Sequence, residues 1–147
     1  VVLDDLRNGH RAAVGALPLV IGDVRDVDLV AMTIEQERID AVIHFAGLKA
    51  VGESVAQPLR YYDNNVSGSV VLFETMAKFN VKSLVFSSSA TVYGDPERLP
   101  IPENHALRPM NPYGKSKLMI EHLDHIEGSL DLEQADADVD LEAIFGT

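Results

Sequence analysis

Tyr113 and Lys117 lie four residues apart in the segment Tyr-Gly-Lys-Ser-Lys, downstream of three consecutive serines, Ser87 to Ser89. On a helix this spacing puts two side chains on one face, so a phenol and an ammonium can reach one bound molecule. A phenol titrates near pH 10, and a shift toward neutrality takes roughly 4 kcal/mol of preferential phenolate stabilisation. A neighbouring lysine, helped by a cationic cofactor such as oxidised nicotinamide, can supply that stabilisation. With Ser89 donating or relaying a hydrogen bond, these residues predict a hydride-transfer site.

Short apolar runs alternate with amphipathic stretches along the chain, which is the pattern of a parallel α/β sheet. We predict strands at Val1 to Asp5, Leu19 to Asp23, Ala41 to Gly47 and Val81 to Ser89. The third run is entirely apolar apart from His44, as expected where both faces of a sheet are covered. We predict helices over Asp28 to Arg38 with Asp26 as N-cap, over Leu59 to Phe79 with Gly68 as a weak point, and after Tyr113. Loops are predicted over Arg7 to Ala16 and over the proline-rich stretch from Asp95 to Pro112.

Size and composition indicate one globular domain rather than two, since the chain has 147 residues and is 46% hydrophobic. A net charge of −11 argues against nucleic-acid binding, which needs a basic surface. No apolar run is long enough to span a bilayer, no signal peptide is seen, and the lack of cysteine is consistent with the cytoplasm. The chain opens on Val1 inside an apolar run, so we expect it to be part of a longer protein. The histidines lack metal-ligand spacing, so no metal site is predicted, and His44 is expected to be a satisfied core residue.

The last part of the chain differs in composition from the rest. From Glu127 onward it carries seven acidic residues and no lysine or arginine. This predicts a domain over residues 1–125 followed by an acidic tail over 126–147. The tail is expected to be poorly ordered, with an ordered helix or a remnant of a later segment as the alternatives.

Four longer strings coincide in this sequence, and they carry a resemblance. They are HFAGLKAVGESV from His44, PLRYYDNNVSG from Pro58, FSSSATVYGD from Phe86 and NPYGKSKLMIE from Asn111. Together they resemble the nucleotide-binding half of the UDP-glucose 4-epimerases, in the extended short-chain dehydrogenase/reductase family, over about residues 1–125. The resemblance implies a Rossmann-like, doubly wound parallel sheet. That sheet is expected to be incomplete, because the family's first strand, glycine-rich loop and first helix have no counterpart in this sequence.

The same resemblance assigns roles to individual residues. Tyr113 is the expected base, Ser89 the catalytic serine, and Lys117 the residue that binds the nicotinamide ribose and makes the phenol more acidic. Asp4 is expected to bind the adenosine ribose of NAD, with a simple strand-end cap as its alternative. Lys49 could instead be a solvated loop charge, and Asn64 could merely stabilise a helix irregularity. The full set of cofactor positions implied is Asp4, Asp23, Val24, Phe45, Ala46, Gly47, Lys49, Asn64, Ser87, Tyr113 and Lys117.

The reaction implied is the interconversion of UDP-glucose and UDP-galactose at sugar C4, by oxidation with tightly held NAD and return of the hydride to the other face. The resemblance also implies a homodimer in the full-length protein, with the region from Leu59 to Phe79 and the helix after Tyr113 as the candidate interface. We expect the chain as given to have little activity. The alternatives are another nucleotide-sugar epimerase or dehydratase, or a non-catalytic binding module. Ala90 and Thr91 after Ser89 disfavour a dehydratase, which needs an added acid and base there.

The incomplete sheet leads to one further expectation. A gap between the strand at Val1 and the strand at Ala41 would leave buried backbone groups unpaired, which is costly. We therefore predict either a continuous sheet with these two strands paired, or poor order before Asp40.

Overall fold

The computed structural model describes residues 1–123, so the expectation for an acidic tail over 126–147 lies outside the described residues. Four short strands are present, β1 (Val2–Asp4), β2 (Leu19–Ile21), β3 (Ala41–His44) and β4 (Ser83–Phe86). The α-helices are α1 (Arg11–Val14), α2 (Val27–Glu37), α3 (Val51–Ala56), α4 (Pro58–Tyr61), α5 (Gly68–Lys78) and α6 (Pro112–Leu123). A π-helical segment (Tyr62–Ser67) joins α4 to α5, and a 3₁₀ turn (Ala90–Tyr93) follows β4. Within residues 1–123, no helix has the length and apolar character that crossing a membrane requires.

The strands form two separate parallel pairs, β1 with β2 and β3 with β4. In the first pair Val2 lies opposite Leu19, and in the second Ala41 lies opposite Ser83. The prediction of parallel α/β structure is confirmed. The prediction of a continuous sheet, with the Val1 strand paired to the Ala41 strand, is wrong, and so is its alternative, since the residues before Asp40 form defined strands and helices. Between β1 and β3 lies a cavity of about 680 Å³, which we call the lane.

A helical layer packs against the strands. Val30 and Ile34 of α2 share one buried cluster with Leu72 and Met76 of α5, and Leu3 of β1 packs at its edge. Each parallel pair therefore keeps its position relative to this helical layer.

The predicted helix boundaries agree closely with the structure at α2. Asp26 is its N-cap, because its side chain accepts a hydrogen bond from Leu29 N at 3.1 Å. The prediction of a loop over Arg7 to Ala16 missed the single turn of α1.

The long helix predicted over Leu59 to Phe79 is present, but its irregularity lies before Gly68 rather than at it. The helix widens to π geometry over Tyr62–Ser67 and is regular again from Gly68 onward. A Cβ at Gly68 would stand 2.8 Å from Val24 Cγ1. Glycine here permits close approach of the segment after β2, so Gly68 is a packing position and not a weak point.

Candidate active site

Lys117 is buried and its ammonium is held where the ends of β3 and β4 meet. Its Nζ donates a hydrogen bond to the Ser87 carbonyl at 2.8 Å and lies 4.6 Å from the centroid of the Phe86 ring. A Cβ at Gly47 would stand 3.7 Å from the same Nζ. Burial lowers the pKa of Lys117 to about 8. Lys117, Ser87 and Gly47 therefore converge, and the ammonium has a fixed direction.

Ser89 lies on the turn that follows β4 and is held next to the start of α6. Its Oγ accepts hydrogen bonds from Thr91 N at 3.2 Å and from Thr91 Oγ1 at 2.9 Å. A Cβ at Gly114 would stand 2.8 Å from the Thr91 carbonyl oxygen, so glycine lets α6 pack directly on this turn. The structure thus brings the Ser89 turn against the helix of Tyr113 and Lys117. Among residues 1–123, no hydrogen bond joins these three side chains to one another.

Asn65 is a central residue of the site that the sequence reasoning missed. Its amide bonds both backbone groups of Leu48, accepting from Leu48 N at 2.8 Å and donating to Leu48 O at 2.9 Å. It also donates to Ser116 Oγ at 3.1 Å, and Ser116 in turn donates to the Tyr113 carbonyl at 2.7 Å. Asn65 thereby joins the loop after β3 to α6.

Asn64, the residue predicted instead, has a smaller part in this network. It makes one side-chain hydrogen bond, from its Nδ2 to Asn65 Oδ1 at 3.1 Å, and it lines the lane. A signal for Asn65 was available in the sequence. Asn65 lies at helical spacing from Tyr61, Ser69 and the apolar Leu72. Of the two asparagines, Asn65 therefore falls on the buried face of the helix.

Most of the predicted cofactor positions line the lane. The wall of the lane includes seven of them, Asp4, Asp23, Val24, Phe45, Ala46, Gly47 and Asn64. Lys117 lies next to Gly47 and donates to the Ser87 carbonyl, and Tyr113 shares a buried cluster with Leu48, another lining residue. Lys49 is exposed on the loop before α3. The structure thus collects the predicted positions around one cavity, with Lys49 the least involved.

Asp4 has a local structural role as well as a place in the lane. Its Oδ1 accepts a hydrogen bond from Leu6 N at 2.7 Å, so it does cap the end of β1. A Cβ at Gly9 would stand 3.0 Å from the same oxygen. No hydrogen bond to Oδ2 of Asp4 is present within the described residues, which leaves one carboxylate oxygen for another partner.

Asp23 is fully engaged by two arginines. Arg25 bonds it through the backbone N–H at 2.9 Å and through the guanidinium at 2.6 Å and 3.0 Å, and Arg7 NH2 lies 2.5 Å away. The Arg25 hydrogen bond holds the pKa of Asp23 far below its usual range. Arg25 also pairs with Asp63 at the π-helical segment. The carboxylate of Asp23 is therefore a fixed acceptor for arginine.

His44 is a buried core residue, and that prediction is confirmed. Its Nε2 lies 2.9 Å from Ser69 Oγ, whose own proton goes to the Asn65 carbonyl at 2.7 Å. His44 therefore carries its proton on Nε2. Burial, together with the charge of Lys117, lowers the pKa of His44 to about 4.

The parallel strand pairs, the Tyr–Lys pair on one helix and the serine turn beside it define a class, the extended short-chain dehydrogenase/reductases. The family model described as GDP-mannose 4,6 dehydratase matches residues 2–126, and the chain belongs to this family. Within it, the sequence is similar to UDP-glucose 4-epimerases. One, from Neisseria meningitidis serogroup A, is 57% identical over 108 residues, which is 73% of this chain and 32% of that protein.

Solved structures agree with the sequence relatives. The UDP-glucose 4-epimerase of Brucella ovis, in complex with NAD, is 43% identical with a TM-score of 0.81, over 84% of this chain and 38% of that one. The Bifidobacterium longum enzyme, in complex with NAD+ and UDP, is 47% identical with a TM-score of 0.77, over 82% and 39%. The expected Rossmann-like fold, incomplete as predicted, is confirmed. The chain spans about a third of the length of the curated relatives it matches.

Proposed function

We propose that the full-length protein interconverts UDP-glucose and UDP-galactose, using NAD, and that residues 1–123 hold the cofactor side of the site and its catalytic residues. One observation carries the proposal. The buried Lys117 is aimed at Ser87 and Gly47, one helical turn from Tyr113, beside a cavity lined by the positions predicted to bind NAD. The epimerase relatives support the choice of reaction.

The side chains present fit a dinucleotide. The free carboxylate oxygen of Asp4 can accept a ribose hydroxyl and would repel a 2′-phosphate, which favours NAD over NADP. Two glycines leave space in which a ligand can approach the backbone. A Cβ at Gly9 would stand 3.0 Å from Asp4 Oδ1, and a Cβ at Gly47 would stand 3.3 Å from Asn65 Oδ1. At the other end, the ammonium of Lys117 suits a second ribose hydroxyl. When bound, the cofactor supplies reversible acceptance of hydride.

The chain's own residues would transfer the proton and orient the sugar. Tyr113 takes the proton from the O4 hydroxyl and returns it after the sugar has turned over. Lys117 stabilises the phenolate by its positive charge, because two opposite charges in a site of low polarity attract strongly. Ser89 hydrogen-bonds the same sugar oxygen, and its two bonds from Thr91 hold the Oγ in place.

The alternative functions are less well supported. A dehydratase needs an acid and a base after the serine, and Ala90 and Thr91 occupy those positions. A non-catalytic binding module does not require a buried lysine, and burying the charge of Lys117 costs free energy. The curated relatives are epimerases, although the family model bears a dehydratase description.

Cofactor binding tests the first half of the proposal on the chain itself. Purified protein is denatured and the supernatant checked for NAD, and added NAD is titrated by calorimetry. We expect binding that Asp4→Ala weakens and that Asp28→Ala, at an exposed position outside the lane, leaves nearly unchanged. Binding that Asp4→Ala leaves unaltered would contradict the assignment.

Enzyme turnover tests the second half of the proposal, which concerns the reaction and its catalytic residues. UDP-galactose is supplied to the full-length protein and the appearance of UDP-glucose is measured, for the native enzyme, Tyr113→Phe and the control Tyr62→Phe. We expect Tyr113→Phe to lose roughly 100- to 10,000-fold in rate, the usual range for a general base, while the control stays active. Equal rates in all three would remove Tyr113 from the mechanism.

We further propose that the full-length protein is a cytoplasmic homodimer. Leu59 at the start of the long helix is 80% exposed and Met119 of α6 is 48% exposed, so both helices predicted at the interface present apolar surface. Sedimentation of the full-length Leu59→Glu variant should give a monomer where the native protein gives a dimer. A native monomer would contradict the proposal.

A further inference from the structure

We propose that Tyr61 is a positioning residue for Tyr113, holding the ring of the catalytic phenol through an edge-to-face contact. The inference rests on the proposed function for its chemical meaning. Its structural part is independent of any turnover. The family resemblance assigns Tyr61 no role in the reaction.

The contact lies in a small buried cluster separate from the main core. Tyr61, Tyr113 and Leu48 form this cluster, with Tyr61 0% exposed and Tyr113 8% exposed. The two tyrosine rings have centroids 6.4 Å apart and planes at 76°. This is a preferred aromatic geometry, worth ~0.5–1.5 kcal/mol beyond the burial of apolar area. Tyr113 therefore has one aromatic neighbour that restricts its ring among the described residues.

Tyr61 can restrain the ring of Tyr113 because hydrogen bonds hold its own hydroxyl in place. It lies 2.8 Å from the Ala50 carbonyl and 2.8 Å from Glu53 Oε2. Since a phenol has one proton, it donates to one of these acceptors at a time. Arg60 pairs with the other carboxylate oxygen, Oε1, and so holds Glu53 in place. The ring is thus fixed at both ends, by packing and by hydrogen bonding.

Tyr61 is an uncharged neighbour for Tyr113. Burial, together with the hydrogen bond to Glu53, raises the pKa of Tyr61 to about 12. Tyr61 consequently stays an uncharged phenol over the pH range in which an enzyme of this kind works. It can restrain its neighbour without competing for the proton.

The position of Tyr61 in the chain links this contact to the rest of the site. It is the last residue of α4, and the π-helical segment that follows carries Asn65, the residue that ties Leu48 to α6. Leu48 also belongs to the tyrosine cluster. One continuous helix therefore supports Tyr113 twice, through the ring of Tyr61 and through the amide of Asn65.

The test compares Tyr61→Leu, which removes the ring, Tyr61→Phe, which removes only the hydroxyl, and Tyr62→Leu as a matched control. Tyr62 is the next residue and makes no aromatic contact with Tyr113 among the described residues. The first readout is the NMR chemical shift of the Tyr113 ring protons in the 147-residue chain, identified by their loss in Tyr113→Phe. We expect a clear change in Tyr61→Leu and little change in the other two variants, because ring-current effects come from the neighbouring ring.

The second readout is the turnover of UDP-galactose by the full-length protein. We expect Tyr61→Leu to lower kcat roughly 10- to 100-fold with KM nearly unchanged, as small misplacements of a catalytic group do. Tyr61→Phe, which keeps the ring and loses the hydrogen bonds of the hydroxyl, should recover part of that loss. Tyr113 signals that do not move in Tyr61→Leu, or a kcat equal to that of Tyr62→Leu, would overturn the inference.

The two readouts separate the possible failures. If the native protein has no turnover, the proposed function fails, and the NMR comparison still decides whether the ring of Tyr61 contacts that of Tyr113. If Tyr61→Leu does not fold, nuclear Overhauser effects between the two tyrosine rings in the native chain decide. Their presence supports the inference, and their absence contradicts it.

Discussion

Replacing Asn65 with alanine removes the side chain that joins the loop after β3 to α6. Asn65 is 2% exposed and its amide takes part in four hydrogen bonds, two of them to the backbone of Leu48. The neighbouring Asn64 is more exposed and makes one, to Asn65 itself. The chain thus offers a matched pair of identical residues in adjacent positions, of which one is central and the other peripheral.

The expected cost follows from the groups left without a partner. Asn65→Ala leaves the buried N–H and C=O of Leu48 unpaired, at ~1–3 kcal/mol each, so the free energy of unfolding should fall by about 2–6 kcal/mol. Asn64→Ala loses one partly exposed bond and should cost ~0.5–1.5 kcal/mol. The two ranges do not overlap, so urea unfolding of the two variants side by side tests the difference.

Urea unfolding of the native chain and both variants measures these costs, and hydrogen exchange at the Leu48 amide reports on the bond directly. We expect the Leu48 amide to lose protection in Asn65→Ala and to keep it in Asn64→Ala. Failure of Asn65→Ala to fold, when Asn64→Ala folds, would agree with the upper end of the range. Equal costs for the two variants, with Leu48 still protected in both, would refute the reasoning.

Three further predictions concern other parts of the structure. Because burial lowers the pKa of His44 to about 4, the unfolded chain binds a proton there that the folded chain rejects. Stability should therefore fall as the pH drops from about 6.5 to about 4, and His44→Phe should make the urea midpoint less dependent on pH in that window. The amine of Lys117 should titrate near pH 8 rather than 10.5, since burial favours the uncharged form; carbon-13 NMR of its side chain measures this, and a value near 10.5 would contradict the buried placement. Gly52→Ala in α3, where a Cβ meets nothing within 4 Å, should stabilise the protein by ~0.5–1 kcal/mol in thermal unfolding. Gly68→Ala should not, because its Cβ would stand 2.8 Å from Val24 Cγ1.

Features fixed by short-range patterns could be predicted from the sequence. Alternating apolar runs located all four strands to within a few residues, and Asp26 was identified as the cap of α2 from residue type and position. The i, i+4 spacing placed Tyr113 and Lys117 on one helix, which α6 confirms. Their roles in a reaction stay predictions.

Features that depend on contacts between distant segments could not be predicted in this way. The pairing of Asp23 with Arg7 joins residues 16 positions apart, and nothing local distinguishes this arginine from a solvated one. The hydrogen bonds of Asn65 to Leu48 and Ser116 join residues 17 and 51 positions apart, and no local pattern predicts them. The separation of the two strand pairs was not predicted either, because the rule that buried backbone groups must pair pointed to the wrong arrangement.

The lane between β1 and β3 also determines which backbone amides exchange their protons for deuterium most slowly. In a doubly wound sheet the innermost strands normally exchange their amide protons last, since they have ladders on both sides. Here each of these two strands has a ladder on one side only within residues 1–123. The slowest amides should therefore lie in the interior turns of α2 and α5, around Val30 and Met76, so this protein would hold its most persistent structure in its helical layer and not along its midline.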